Sequence, residues 1–294
     1  MTSSADARIG RRCVLGLAAS ASIIPGLAQA GSGGSEAPLR FGLTPVFLTS
    51  DLELLARLQL YLEHRTGLPV ILVTRRTYQE ITTLLTSGQL DAAWICGYPF
   101  VAHRAELRLV AVPLWRAAPL YQSYVIVDRD RTTRDFADLR GDIHACSDPD
   151  SNSGFLSTIA LLARQGMRPD GFFARSFFTY GHRNVIRAVA SGLASSGSVD
   201  GYVYEVVAEL EPALTARTRV LHRSEWLGFP PIAAPRVPVD ERRLSSLTKA
   251  LLEMNGVPEG QAVLRLLRLD GFAAGEPALF DTIAANVALV AQAG

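Results

Sequence analysis

The chain has 294 residues, a formal net charge of +1, 19% charged and 48% hydrophobic residues, and a Lys/Arg complement that is nearly all Arg without a clustered stripe. That balance excludes a nucleic-acid or anionic-membrane surface as the main business of the chain, and no cofactor is implied. Three cysteines are too few for a disulfide scaffold, so the core must come from packing. There is no metal-spaced Cys/His cluster, dinucleotide fingerprint, phosphate loop or nucleophile elbow.

The first thirty residues read as an address. Arg8, Arg11 and Arg12 precede an Ala-rich apolar run over 14–27, broken by Pro25 and closed by Ala28-Gln29-Ala30. This predicts a cleaved signal peptide over 1–30 and export to the periplasm. Arg11-Arg12 permits twin-arginine export beside the ordinary secretory route. A membrane anchor would need about 20 unbroken apolar residues.

The mature chain then alternates apolar runs with amphipathic ones. A strand is predicted over Leu39–Leu43, a helix over 52–62 that stops near Gly67, a strand over 70–73, a helix over Tyr78–Thr86 ended by Ser87-Gly88, and a strand over 91–96. Strand, helix, strand, helix, strand is the order of a parallel α/β sheet. Extended runs over 109–114 and 121–127 follow. A second cycle begins with a strand over Ile143–Cys146, then the segment Asp148-Pro149-Asp150-Ser151-Asn152-Ser153-Gly154, a helix over 155–165, a strand near 177–179, a helix over 184–190 and a strand over 198–203. The tail after Pro230-Pro231 is helical, with candidates over 240–254, 260–267 and 277–290.

Two α/β lobes, each a mostly parallel sheet flanked by helices and joined by the extended runs 121–127 and 221–234, leave a cleft at the carboxyl ends of the strands, where open α/β sheets bind ligands. Asp148 to Gly154 lies between a strand and a helix and supplies small-residue backbone N–H groups. The first N–H groups of a helix have no intrahelical partner and carry a positive dipole, so the segment can cradle an oxyanion without Lys or Arg. It is equally an N-cap by Ser151 or Ser153. Cys96-Gly97-Tyr98-Pro99-Phe100 and Asp200-Gly201-Tyr202 end strands facing the same cleft.

The order Asp138-Leu139-Arg140-Gly141, Ser147-Asp148-Pro149-Asp150-Ser151-Asn152-Ser153-Gly154-Phe155, Tyr180-Gly181-His182, Ala188-Val189-Ala190-Ser191-Gly192 and Val199-Asp200-Gly201 resembles the phosphate/phosphite/phosphonate-binding proteins of ABC importers. The resemblance implies a two-lobed type II periplasmic binding protein with a hinge, lobe 1 over 31–122 and 226–294, and lobe 2 over 123–225. It implies no enzyme, a small oxyanion as ligand and an ABC permease as partner. Ligand-binding candidates are Ser151, Asn152, Ser153 and Gly154 in the cradle, Cys96, Gly97, Tyr98 and Phe100 in the first lobe, and Cys146, His182, Asp200 and Tyr202 in the second. Arg183 and Asn184 stand after His182 where phosphonate binders use a carboxylate, which departs from an aminoalkyl specificity. Cys96 and Cys146 fall at or beside strand ends. Thiolate is a soft ligand that suits arsenite, and the family that the chain resembles includes arsenite-sensing members, so the resemblance implies as the alternative a sensor that holds the metalloid through Cys96 and signals to a membrane histidine kinase. The cysteines are equally read as buried hydrophobes or as one disulfide across the cleft.

Overall fold

The computed structural model describes residues 37–45, 52–237 and 240–293. The predicted leader over 1–30 lies outside them. Leu39–Leu43 (β1) runs into Leu52–Thr66 (α1), and Val70–Thr74 (β2) into Tyr78–Thr86 (α2). Thr77 starts α2 through a capping box: its hydroxyl accepts the Glu80 N–H while the Glu80 carboxylate accepts the Thr77 N–H. Ala92–Trp94 (β3), the short helix Gly97–Ala102 (α3), Leu107–Leu114 (β4) and Leu120–Tyr121 (β5) complete the first passage.

The chain next builds Ser123–Asp128 (β6), Ile143–Cys146 (β7), Ser157–Arg164 (α4), Arg175–Phe178 (β8), His182–Ala190 (α5), Ser196–Asp200 (β9), Gly201–Leu210 (α6), Pro212–Thr215 (α7) and Thr218–Arg223 (β10). It returns through Leu227–Gly228 (β11) and Ile232–Pro235 (β12) to Glu241–Leu252 (α8), Pro258–Leu267 (α9), Gly271–Ala273 (β13) and Asp281–Ala293 (α10).

Two sheets result, in the orders β13-β4-β12-β3-β1-β2 and β10-β6-β9-β7-β8. Each is mixed. β1 pairs in parallel with β2 and β3, and β7 with β8 and β9, as the alternation of strands and helices predicts. The remaining pairings are antiparallel, because β12 returns from the second sheet between β3 and β4, and β6 enters that sheet beside β9. β5 and β11, the two strands that lead between the sheets, pair antiparallel with Tyr121 opposite Leu227 and Leu120 opposite Gly228. The two crossing segments thus form one ribbon.

Two elements differ from the sequence expectation. The strand expected over 198–203 ends at Asp200, because the Asp200 carboxylate accepts the Val203 N–H at 3.2 Å and caps α6. The helix expected over 155–165 begins with a π-helical turn, Asn152–Leu156, before α4. The main core spans both sheets, from Leu39, Ile81 and Trp94 to Val185, Val189 and Val207. A smaller cluster of Val125, Val127, Phe136, Leu139, Leu162, Phe172 and Phe173 fills the outer face of the second sheet.

Candidate functional site

The strand ends of both sheets carry the predicted segments to one place. Ser151 begins the π-helical turn, and its hydroxyl accepts the Gly154 N–H at 2.9 Å, so it acts as the cap. Gly154 has no alternative: a Cβ there would lie 1.8 Å from Ser147 Oγ and 2.9 Å from Ser151 Oγ. The turn is pinned from below by Ser123, whose hydroxyl donates to the Ser153 carbonyl at 2.7 Å.

Asn152 reaches two residues of the first passage of the chain, one at the end of β3 and one on the crossing strand β5. Its backbone N–H donates to Cys96 Sγ at 3.2 Å, and its Nδ2 donates to Tyr121 Oη at 2.8 Å. Its Oδ1 is buried with no hydrogen-bond partner. Asp148 reaches across as well. Its Oδ2 accepts the Tyr78 N–H at 3.2 Å, at the start of α2, and its Oδ1 accepts the Asp150 N–H at 2.9 Å. An anion from one lobe therefore sits on the N-terminus of a helix in the other.

His182 opens α5, and its two nitrogens join the lobes. Nδ1 lies 3.1 Å from the Asp200 backbone N, and Nε2 lies 3.2 Å from Tyr78 Oη. Burial lowers the imidazole to about 3. The same burial pushes the Asp200 carboxyl up to about 7, against hydrogen bonds from the Val203 and Tyr202 N–H groups and the Ser153 side chain. The Cys96 thiol goes up to about 12 by burial, against N–H groups of Asn152 and Tyr98 and with the charges of Asp200 and Asp148 adding to the rise. Tyr78 is raised by burial and then by Cys96, Asp148, Asp200 and Tyr121 beside it.

The structure thus brings Cys96, Asn152, Ser153, His182 and Asp200 into one buried group, with Ser151 and Gly154 shaping its wall. Tyr78, Tyr121 and Asp148 complete it, and none of these three was singled out from the sequence as a ligand residue. Tyr78 had a signal, since it is the residue after the cap in the Thr77-x-x-Glu80 capping box and so stands at a helix N-terminus. Tyr121 had none, because only pairing with β11 puts it at the crossing point. Among the described residues no Lys or Arg belongs to this group.

The other candidates lie outside it. Gly97 packs on α10, where a Cβ would meet Ile283 Cδ1 at 2.6 Å. Phe100 packs against Phe280 with ring centroids 4.8 Å apart and the rings tilted by 60°. Tyr98 is half-buried, raised by burial and then by Asp150. Tyr202 turns its hydroxyl to the Leu267 carbonyl and packs its ring against Trp115 and Phe229. Cys146 is pushed up to about 12 by burial alone, and its carbonyl receives the Thr179 N–H at 2.9 Å and hydroxyl at 3.1 Å. Cys96 and Cys146 are both free thiols, so the cleft is not locked by a disulfide.

Residues 41–280 match the family described as ABC transporter, phosphonate, periplasmic substrate-binding protein. Among solved structures, the chain is similar to a binding protein component of an ABC phosphonate transporter from Pseudomonas aeruginosa. The two share 19% identity, with 88% of each chain covered and a TM-score of 0.80. It is also similar to a protein from Prochlorococcus marinus in complex with methylphosphonate, at 16% identity, 86% of this chain, 98% of that one and a TM-score of 0.77. A histidine kinase sensor domain with similarity to periplasmic binding proteins matches at 15% identity, 79% of this chain, 96% of that one and a TM-score of 0.54. The fold is the expected α/β, two-lobed one, with mixed sheets in place of mostly parallel ones. With the family model spanning most of its length, the chain belongs to the phosphonate-binding family of periplasmic ABC-transporter substrate-binding proteins, which are not enzymes.

Proposed function

We propose that this protein is exported to the periplasm, where it captures a small oxyanion of the phosphonate, phosphite or phosphate class between lobe 1 (31–122 and 226–294) and lobe 2 (123–225) and delivers it to an ABC permease. One observation carries the reading. The N-termini of α2, α5 and α6 and of the Asn152–Leu156 turn converge on a buried group that holds two tyrosine hydroxyls and no Lys or Arg. Helix dipoles and hydroxyl donors stabilise an oxyanion there without a counter-cation. The β5–β11 ribbon is the hinge of this reading, and a ligand bridging the lobes favours the closed arrangement.

A second reading is supported by the Cys96 thiol, which is buried in the main core and accepts the Asn152 N–H at its edge, so that its sulfur borders the same group. Neutral arsenous acid suits a soft sulfur ligand beside two carboxylates better than a dianion does. On this reading closure engages a membrane histidine kinase. A thermal-shift panel on reduced mature protein with phosphate, phosphite, methylphosphonate, arsenate and arsenite separates the two. A ligand at a hundredfold its Kd adds about 2.7 kcal/mol. A shift with phosphorus oxyanions that persists in Cys96→Ser supports transport. A shift with arsenite alone, lost in Cys96→Ser, supports the sensor.

A further inference from the structure

The hydrogen bonds of His182 determine which way the hydroxyl of Tyr78 points. A peptide N–H can only donate, so Nδ1, 3.1 Å from the Asp200 N, carries a lone pair. The buried ring is neutral, which leaves its single proton on Nε2. Nε2–H therefore donates to Tyr78 Oη at 3.2 Å, and the tyrosine proton has to go to another acceptor. Tyr121 is oriented in a similar way: its Oη accepts from Asn152 Nδ2 at 2.8 Å, leaving its own proton to donate, with the Ser153 hydroxyl, itself bonded to Asp200, as the protein group next to it. In both pairs the polarising group belongs to the second lobe, His182 at the start of α5 and Asn152 in the π-helical turn. The tyrosines come from α2 in the first lobe and from the β5 crossing strand. A third group is unmatched: Asn152 Oδ1 is an acceptor, buried and without a partner.

We propose that closing the lobes makes Tyr78 and Tyr121 obligate donors, with His182 and Asn152 as positioning residues, and that the site selects an oxyanion retaining one hydroxyl, which accepts from both tyrosines and donates to Asn152 Oδ1. This rests on the reading that the ligand sits among these residues. It goes further by naming the protonation state that is recognised. Sulfate, with the same oxygens but no proton at neutral pH, leaves Asn152 Oδ1 unpaired and is rejected, as a buried polar group without a partner is costly.

The test is a double-mutant cycle on binding of methylphosphonate and phosphite, with sulfate as the comparison ligand, combined with the 15N signature of the His182 ring. Tyr78→Phe and His182→Gln are each expected to weaken binding about tenfold, the size of one lost hydrogen bond, with the double variant no weaker than Tyr78→Phe alone. The bound protein is expected to show the Nε2–H tautomer, and sulfate to bind at least a hundredfold more weakly. Additive losses, the Nδ1–H tautomer, or sulfate binding as tightly as methylphosphonate overturns the inference while leaving the ligand reading intact. Should His182→Gln fail to fold, the tautomer and the sulfate comparison on the wild-type protein decide. If the wild type binds no phosphorus oxyanion, the ligand reading itself falls and takes the inference with it.

Discussion

The Asn152 backbone N–H donates to Cys96 Sγ at 3.2 Å, so the turn of one lobe is held by the strand end of the other through a sulfur acceptor. Cys96→Ala removes the acceptor and leaves a buried N–H unpaired, a loss of about 1–3 kcal/mol. Cys96→Ser keeps an acceptor at the same position. The expected order of melting temperature is wild type and Ser together, with Ala several degrees lower. Equal melting of the Ala and Ser variants would show that the bond contributes nothing.

Asp148 accepts the Tyr78 N–H at the start of α2, beside the Thr77 cap, so besides its local bond to the Asp150 N–H it should favour the closed arrangement. Asp148→Ala removes one hydrogen bond to the first N–H of α2 and leaves the Thr77 cap in place, about 1 kcal/mol of closure. Small-angle scattering of the ligand-free protein should then give a larger radius of gyration than the wild type, with the melting temperature nearly unchanged. An unchanged radius would rule out Asp148 as a latch.

The pH dependence of stability divides between two kinds of buried group. Asp200, at about 7 in the fold, holds a proton between about pH 4 and 7 that the unfolded chain has released. Its contribution is therefore full at low pH and lost as pH rises toward 7. His182 and His144, both near 3 through burial, act in the opposite sense: the unfolded chain protonates them below about 6.5 and the fold does not, so stability falls on acidification. His144 is stacked on Phe173 at 4.3 Å and bonded to Ser196 and Ser198 at 2.8 Å, remote from the proposed ligand. Relative to wild type, Asp200→Asn should gain stability as pH is raised from 4 to 7, whereas His144→Gln should flatten the decline below pH 6. Parallel melting curves for all three proteins across pH 4–8 would contradict both assignments.

An anion bound beside Asp200 raises that carboxyl further, so binding a phosphonate near pH 7 should take up protons, and affinity should fall as pH rises past 7. Calorimetry in two buffers of different ionisation enthalpy measures the uptake, and Asp200→Asn should reduce it. A neutral ligand such as arsenous acid should show far less. Phosphonate binding with no difference between the buffers would speak against an anion next to Asp200.

Gly154→Ala places a methyl carbon 1.8 Å from Ser147 Oγ, which the turn can relieve only by moving. Overpacking of this kind costs about 1–3 kcal/mol, and the displaced turn carries Asn152 and Ser153 with it. Ligand affinity is expected to fall more steeply than the melting temperature. A variant that binds as tightly as wild type would remove the turn from the recognition surface.

Much of this architecture is legible in the chain. Leu39–Leu43, Tyr78–Thr86 and Ile143–Cys146 fall where periodicity and capping residues put them, since those signals act between neighbours in sequence. The cap at Ser151 follows from the same local rules, whereas α5 opens at His182, two residues before the expected start, and Asp200 caps a helix where a strand was expected to run on. The antiparallel pairing escaped that reading: β4, β6 and β12 fall largely in the extended runs expected over 109–114, 121–127 and 221–234, but their partners are set by tertiary contact, and β13, Gly-Phe-Ala, is too short to declare itself without β4 beside it.

What only the tertiary structure decided is the membership and polarity of the site. Tyr78, Tyr121 and Asp148 join Cys96 and Asn152 through contacts spanning 31 to 104 residues of chain, which no local pattern encodes. The same packing turned Phe100 into the core and Tyr202 toward Leu267, although both stand within a few residues of the cluster. Sequence specifies which backbone amides open helices at the strand ends, because capping is a local competition for hydrogen bonds. Which side chains then meet there, and which of them donate, depends on burial between two lobes, where each polar group must find its partner in the other half of the chain.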